Sequence, residues 1–285
     1  MQDLINKANI IVEALPYIAK LAGKVVVIKY GGNAMNDPSV INTVMQDVAT
    51  LKMVGACPVL VHGGGPEINS LLGKLGIESK FKNGLRVTDA AAMEAVQMAL
   101  CGKLNKNIAA QISSLGVKAI GLSGKDANLI EAVKLTECGD LGYVGKITSV
   151  NTALLEQLCR GEYVPVIASI GADKHGNGYN INADTAAGSI AAALSAEKLI
   201  YLTDIDGIRR KQDDPKSLIP EITCTEIKKL IKDGTIDGGM IPKAEACVRG
   251  VEQGISRVHI INGTIPHSIL LEIFTDKGIG TVVKK

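Results

Sequence analysis

Short apolar runs that end at or near glycine alternate with longer segments of helical periodicity through most of the 285-residue chain. The runs have the length and the branched side chains of buried strands, and they cover 24–32, 57–65, 117–124, 163–171, 198–208 and 257–263. The helical segments include 41–55, 89–116, 183–195 and 242–254. Such alternation is typical of a mostly parallel sheet with helices on both faces. We therefore expect an α/β fold, a three-layer αβα sandwich around a central, mainly parallel open sheet.

Two segments interrupt this alternation. The runs 129–135 and 142–150 predict a hairpin, and the polar, glycine-rich stretch 173–182 predicts a loop. At the amino end, apolar residues recur at helical spacing over 2–22, where Pro16 should kink or divide the helix. This helix could pack on its own domain or reach a neighbouring subunit. Periodicity alone favours the first alternative.

Composition excludes several classes of function. Aromatic residues make up 3% of the chain, Trp is absent and the net charge is +2, which disfavours a nucleic-acid-binding surface. The cysteines are scattered without a C-x-x-C pair, so we expect reduced thiols and neither a zinc site nor a disulfide framework. The amino end carries acidic residues where a signal peptide would be apolar. No apolar run approaches the roughly 20 residues that span a bilayer, so a cytoplasmic protein is expected.

Three glycine turns follow strands: "KYGGN", "HGGGPE" and "GLSGKD". Because ligands of such sheets bind outside the carboxyl ends of the strands, these turns should line a common crevice. Exposed backbone N–H groups and helix N-termini there favour an anionic ligand over a merely tight turn. None of the turns matches a P-loop, and none is a full G-x-G-x-x-G with an acidic ribose partner, so a nicotinamide cofactor is disfavoured.

Two lysines stand in unusual places. Lys29 lies inside an apolar strand, where an unpaired ammonium is costly unless it reaches solvent. Lys243 lies at a helix start, where the helix dipole disfavours a cation. Together with the glycine turns they indicate a polyanionic ligand. Asp184 opens a small-residue helix, and taken alone it reads as an N-cap.

Six motifs occur in order: "VIKYGGNAM", "VLVHGGGPEIN", "FKNGLRVTD", "YNINADTAAG", "LTDIDGI" and "DGGMIPKAEAC". Together they resemble the amino acid kinase family, and within it the acetylglutamate kinases, from about Lys24 to the carboxyl end. The resemblance implies the amino acid kinase fold in two lobes. Residues 24–195 would bind acetylglutamate and dimerise, and residues 196–285 would bind ATP. Residues 1–23 would form a helical extension.

The resemblance also implies a role for each matching residue. The catalytic group would be Lys29, Lys243, Asp184, Gly32 and Gly65, with Asp184 holding both lysines. The acetylglutamate contacts would be Gly64, Gly65, Arg86 and Asn180. The nucleotide site would comprise Asp204, Ile205, Asp206, Gly207, Ile208, Arg209, Thr235, Ile236 and Asp237. No protein metal site is implied, because Mg²⁺ would be bound through the phosphates of ATP.

The implied reaction is phosphorylation of the side-chain carboxylate of N-acetyl-L-glutamate, an early step of arginine biosynthesis. A carboxylate is already ionised at pH 7, so no general base is needed, and His62 is not expected to act as one. Positioning and charge stabilisation should therefore dominate catalysis. The fork of Arg86 would bind the substrate's α-carboxylate.

The two ends of the chain, "ANIIVEALPYI" and "HSILLEIFTDKGIGT", resemble the arginine-sensitive acetylglutamate kinases. This likeness favours a helix that interlaces dimers into a hexamer, and it overrides the preference from periodicity. Tyr17, Glu272 and Gly278 would bind L-arginine as an inhibitor. Nothing in the sequence supports a PII-type signalling protein as a further partner. The rival hypotheses are a related carboxylate or carbamate kinase and a non-catalytic arginine or nucleotide sensor.

Overall fold

The computed structural model of the chain describes residues 1–35, 37–82 and 84–285. Its helices are α1 (Gln2–Leu21), α2 (Pro38–Met53), α3 (Gly65–Lys74), α4 (Ala90–Gln97), α5 (Asn105–Ser114), α6 (Ala153–Arg160), α7 (Ala183–Ala193), α8 (Cys224–Lys232), α9 (Met240–Glu252) and α10 (Ser268–Ile273). A π-helical segment, Met98–Leu104, joins α4 to α5.

The strands belong to three sheets. They are β1 (Val25–Tyr30), β2 (Cys57–His62), β3 (Phe81–Lys82), β4 (Leu85–Arg86), β5 (Lys118–Ser123), β6 (Ile130–Lys134), β7 (Gly145–Val150), β8 (Tyr163–Ala168), β9 (Ile170–Ala172), β10 (Gly178–Asn180), β11 (Lys198–Thr203), β12 (Glu221–Thr223), β13 (Arg257–Asn262) and β14 (Thr281–Lys284). The main sheet has eight strands in the order β12-β14-β13-β11-β1-β2-β8-β5. Its neighbouring strands run parallel, except that β13 and β14 are antiparallel. The prediction of a mainly parallel central sheet is confirmed.

Helices cover both faces of the main sheet, as the alternation of β1 illustrates. Val26, Ile28 and Tyr30 point into one apolar core, which also contains residues of α2, α5 and α10. Val27 points into the other core, with residues of α6 to α9. Successive side chains of a strand alternate between faces, so a strand buried on both sides needs the continuous apolar run seen in the sequence.

The main sheet is continuous across the proposed lobes. Strands β1, β2, β5 and β8 come from the first part of the chain and β11 to β14 from the second, and they meet where β1 pairs with β11. The lobe boundary at residues 195 and 196 stays a prediction.

A second sheet departs from the sequence-based expectation in two places. The hairpin of β6 and β7 forms as predicted, but it joins a four-stranded sheet in the order β10-β9-β6-β7. The segment expected as one strand over 163–171 is divided between β8 and β9, and the expected loop 173–182 contains β10. Pairing with β9 satisfies the backbone of β10 although its side chains are only half buried, so the local pattern lacked an apolar signal.

The sequence predicted that Pro16 would kink or divide helix α1, and the structure shows that the helix is not divided there. Its apolar stripe is largely uncovered: the exposed fractions are 62% for Leu4, 65% for Ile10 and 63% for Ile11. The expectation from periodicity alone, that this helix packs on its own domain, is wrong for these residues. Periodicity shows that a helix has an apolar face but not what covers it. None of the helices that the structure describes is long and apolar enough to cross a membrane.

Candidate active site

Lys29 lies near the carboxyl end of β1, and its Nζ is 2.9 Å from Oδ1 of Asp184. Asp184 is not the N-cap of α7, contrary to the simplest expectation. That position belongs to Asn182, whose side-chain oxygen accepts hydrogen bonds from the backbone N–H groups of Asp184 and Thr185. Because Asn182 caps the helix, the Asp184 carboxylate is available to neutralise the half-buried ammonium of Lys29.

Lys243 lies in the first turn of α9, and its Nζ is 3.3 Å from Oδ1 of Asp204. Among the ion pairs of the described residues, Asp184 holds Lys29 but not Lys243. The two pairs line a cavity of about 210 Å³, the lysine cavity, together with Gly31 and Gly32. Two cations thus face one space, each held by a carboxylate from a neighbouring element.

A second space, the glycine cavity, measures about 270 Å³ and is lined by Gly63 to Gly65, Arg86 and Asn180. Asn180 Nδ2 donates to Oγ1 of Thr88 at 3.1 Å, which orients the amide on the wall of this cavity. The predicted acetylglutamate contacts therefore come together in the structure. Among the described residues, none from the turn after β5, which contains Gly124, lines a cavity named here. The expectation that all three glycine turns share one crevice is wrong for this turn.

Arg86 is the one guanidinium on the wall of the glycine cavity among the described residues, and its side chain is 7% exposed. Nη2 donates to Oδ1 of Asn69 at 2.7 Å, Nη1 donates to Ser79 Oγ, and the ring centre of Phe81 lies 4.7 Å from Cζ. These partners are neutral, and the described residues offer Arg86 no carboxylate. Burial lowers the pKa of the guanidinium, but not enough to discharge it. A buried cation without a counter-charge is a site for an anion.

Sequence reasoning missed Asn69 and Ser79. Asn69 closes the motif "VLVHGGGPEIN", and Ser79 lies two residues before "FKNGLRVTD". A polar residue at the edge of each motif was the available signal.

The glycines of the loop have different structural roles. A Cβ on Gly64 would lie 2.6 Å from Leu100 Cδ2 and 2.7 Å from Leu104 Cδ2, both in the π-helical segment. A Cβ on Gly65 would meet nothing within 4 Å. Gly64 therefore lets the π-helical segment approach the loop, whereas Gly65 faces open space.

The loop cavity, of about 620 Å³, lies between the turn after β11 and the start of α9. All nine residues predicted for the nucleotide site line it. Asp206 accepts hydrogen bonds from Asn262 Nδ2 at 2.8 Å and from Arg209 at 2.5 Å, and these bonds hold the pKa of its carboxyl below the usual value. Gln212 Nε2 donates to Asp237 at 2.5 Å, which links the two segments of the predicted site.

The three cavities share walls. Lys29, Gly31 and Gly32 line both the glycine cavity and the lysine cavity. Asp204 and Lys243 line both the lysine cavity and the loop cavity. The two lysines thus lie where the spaces meet, so ligands in the glycine and loop cavities would approach each other beside them.

A fourth space, the N-helix cavity, measures about 550 Å³ and brings together Tyr17, Glu272 and Gly278, which the resemblance assigned to one effector site. The Tyr17 hydroxyl donates to Asp276. Glu272 is nearly buried, and its carboxylate accepts from Ile279 N–H at 2.7 Å and from Gly280 N–H at 3.0 Å.

A histidine completes the surroundings of Glu272. Lys198 Nζ lies 3.3 Å from Nε2 of His259, and an ammonium can only donate. Nδ1 of His259 therefore carries the ring proton and donates to Glu272 Oε1 at 2.7 Å. Burial raises the pKa of the Glu272 carboxyl, but these hydrogen bonds outweigh it and leave the pKa lowered.

Comparisons with known proteins agree with this geometry. The model of the Amino acid kinase family matches residues 24–262. An acetylglutamate kinase of Caldanaerobacter subterraneus subsp. tengcongensis is 56% identical over 99% of this chain and 95% of its own length. Two structures of an N-acetylglutamate synthase from Neisseria gonorrhoeae are also similar. One, with coenzyme A and N-acetyl-glutamate, is 28% identical with a TM-score of 0.86, and the chain covers 63% of it. The other, with coenzyme A and L-arginine, is 26% identical with a TM-score of 0.79 and is covered over 64%.

The identity to acetylglutamate kinases extends over nearly the whole chain, and the family model spans every segment that lines the lysine and glycine cavities. The chain is therefore an enzyme, a kinase that belongs to the amino acid kinase family and groups with its acetylglutamate kinases.

Proposed function

We propose that the enzyme transfers the γ-phosphoryl group of ATP to the side-chain carboxylate of N-acetyl-L-glutamate, giving N-acetyl-L-glutamyl 5-phosphate for arginine biosynthesis in the cytoplasm. The observation that carries the proposal is the buried guanidinium of Arg86, whose hydrogen-bond partners among the described residues are neutral and which lies in a cavity that opens toward Lys29. An acceptor with two carboxylates fits this arrangement. One carboxylate would bind the Arg86 fork and the other would reach the lysines.

The residues of the chain suggest how the transfer would proceed. An oxygen of the acceptor carboxylate attacks the γ-phosphorus, and the bond to the β–γ bridging oxygen breaks to release ADP. No proton moves, because the carboxylate is already ionised. Lys29 and Lys243 would balance the charge on the transferring group, held in place by Asp184 and Asp204. The N–H groups of Gly32 and Gly65 would add hydrogen bonds to its oxygens.

The nucleotide would occupy the loop cavity, where the predicted residues 204–209 and 235–237 gather. Mg²⁺ bound to the phosphates would neutralise part of their charge. Among the described residues, no group of three or more His, Cys, Asp or Glu side chains could hold a metal ion. The cation would therefore take most of its ligands from phosphate and water.

A coupled assay of ADP release tests this proposal. With MgATP we expect turnover of N-acetyl-L-glutamate, little turnover of glutamate or carbamate, and loss of turnover in Lys29→Ala. Turnover of unacetylated glutamate but not of N-acetyl-L-glutamate would support a related carboxylate kinase. Binding of nucleotide without turnover of any acceptor would support a sensor instead.

L-arginine is proposed as a feedback inhibitor that binds the N-helix cavity. Support comes from Tyr17, Glu272 and Gly278, which line one cavity, and from the similar synthase whose structure contains L-arginine. The bare apolar stripe of α1 would pack against a second copy of the chain and build hexamers from dimers. Coupling would then run through α1, which contributes both Tyr17 and the apolar stripe.

A further inference from the structure

His62 is the last residue of β2, and its side chain is fully buried behind the glycine loop Gly63 to Gly65. Nδ1 lies 2.8 Å from the carbonyl oxygen of Gly63, and Nε2 lies 3.0 Å from Nδ2 of Asn105. Among the described residues, Gly63, Gly64 and Gly65 line the glycine cavity, but His62 does not. This histidine therefore contacts the loop but does not line the cavity.

The amide of Asn105 determines where the imidazole carries its proton. Nδ2 of Asn105 also lies 2.9 Å from the carbonyl oxygen of Val166 and 3.1 Å from that of Leu122. These oxygens can only accept, so the amide NH₂ faces them, and its two N–H groups are shared among the two oxygens and Nε2 of His62. An amide nitrogen donates and does not accept, so Nε2 of His62 must offer a lone pair. The ring proton is on Nδ1, where it donates to Gly63.

Burial reinforces this state. It lowers the pKa of His62 to about 4, so the ring stays neutral throughout the neutral pH range. The hydrogen bond from His62 to the Gly63 carbonyl is therefore present whenever the enzyme works near neutral pH.

The orientation of the next N–H group follows from peptide geometry. No described peptide bond is cis, and in a trans peptide the C=O and N–H groups point to opposite sides. Because the Gly63 carbonyl faces His62, the Gly64 N–H faces away from it, toward the glycine cavity that Gly64 lines. Among the hydrogen bonds between described residues, none uses the Gly64 N–H or the Gly65 N–H.

We propose that His62 is a positioning residue that fixes the Gly63–Gly64 peptide, so that the Gly64 N–H is presented to an oxygen of the bound acceptor. The identity of that acceptor rests on the proposed function. The π-helical segment also packs on this loop: Leu100 and Leu104 lie close to Gly64, and the segment leads directly into Asn105. A donor fixed in advance needs no reorganisation when the anion binds.

Two substitutions separate the roles of the ring nitrogens. His62→Asn keeps a donor near the position of Nδ1, and His62→Gln keeps a polar atom near Nε2 but leaves the Gly63 carbonyl without its donor. We expect His62→Gln to lower kcat/KM for N-acetyl-L-glutamate at least tenfold, with the KM for MgATP unchanged. His62→Asn should stay within about threefold of the parent, since the lost partner lies on the Asn105 side. Equal losses in both variants, or a more active Gln variant, would overturn the proposal.

A measurement on the unmodified enzyme covers the case in which the variants do not fold. In protein with ¹⁵N-labelled histidine, His62 should appear as the neutral Nδ1–H tautomer without titration between pH 5.5 and 8. The Gly64 amide proton should shift downfield when N-acetyl-L-glutamate is added. An Nε2–H tautomer, or a Gly64 amide that ignores a bound acceptor, would refute the role of His62. If N-acetyl-L-glutamate neither binds nor turns over, the proposed function fails, while the tautomer still tests the orientation of the peptide.

Discussion

The ammonium of Lys29 lies 2.9 Å from the carboxylate of Asp184, which joins the end of β1 to the first turn of α7 beside the lysine cavity. The pair is half buried, so losing either partner leaves a charge in a poorly solvated place. A lysine held in this way meets an incoming phosphoryl group in a fixed position.

Removing the charge of Asp184 should therefore reduce turnover more than binding. In Asp184→Asn we expect kcat to fall about 10²-fold while the KM for MgATP changes little, because the ammonium of Lys29 loses its fixed position. Steady-state kinetics with both substrates measure this split. Asp204→Asn is the matched control, because it removes the corresponding carboxylate partner of Lys243. An Asp184→Asn variant with normal kcat would contradict the role assigned to Asp184.

Substitution by alanine should affect stability at one of two adjacent glycines and turnover at the other. Gly64→Ala should destabilise the fold by about 1–3 kcal/mol, because its Cβ would overlap Leu100 and Leu104. Gly65→Ala has open space, so its melting temperature should match that of the parent while kcat falls, since the methyl group would enter the path of the phosphoryl group. Calorimetry and kinetics on both variants decide the matter. Near-normal activity in Gly65→Ala would leave the loop as a tight turn alone.

Arg86 should govern affinity for the acceptor. Arg86→Lys keeps the charge but loses the planar fork that Asn69 and Ser79 orient. We expect the KM for N-acetyl-L-glutamate to rise at least tenfold, equivalent to about 1.4 kcal/mol, with the KM for MgATP unchanged. Asn69→Ala should produce a smaller rise of the same kind. A parallel rise in both KM values would instead indicate a general distortion of the site.

The buried imidazole of His62 makes stability depend on pH in a defined direction. Its pKa is lowered from 6.5 to about 4 by burial, so between these values the unfolded chain binds a proton that the folded chain does not. This contribution to stability is complete above pH 6.5 and declines as the pH falls toward 4. From pH 7.5 to 5 the loss should be about 2 kcal/mol for this residue. Denaturant titrations at several pH values give the free energy of unfolding of the parent and of His62→Asn. This free energy should fall more steeply with decreasing pH in the parent, and identical pH profiles of the two proteins would refute the prediction.

Deletion of residues 1–20 tests the effector proposal, because it removes Tyr17 and the bare apolar stripe together. We expect an active enzyme of smaller oligomeric size that L-arginine no longer inhibits, as measured by light scattering and by assays at increasing arginine concentration. Tyr17→Phe is the companion variant: it keeps the stripe, so it should keep the oligomer and weaken only the response to arginine. Inhibition retained after the deletion would refute this assignment.

The position of the site could be predicted because several of its residues lie at strand ends, whereas the role of each residue was implied by the resemblance to acetylglutamate kinases. Lys29, Gly64 and Asp204 follow or close parallel strands, and such ends meet at one edge of a sheet whatever the loops do. The predicted nucleotide segment also lies next to the lysines for this reason. The second sheet was only partly foreseen, since β10 is short and polar and is stabilised by its pairing with β9.

The sequence by itself determined the layered fold and the meeting of two of the three glycine turns with Lys29 at one edge, because side-chain periodicity and glycine turns are local properties of the chain. Only the tertiary structure decided the partners: Asp204 for Lys243, and Asn105 for His62. Such partners come from segments far apart in the chain, and which of several polar groups reaches a given atom depends on how helices and strands pack. The apolar stripe of α1 needed both: periodicity in the sequence revealed the stripe, and only the tertiary structure showed that it is exposed.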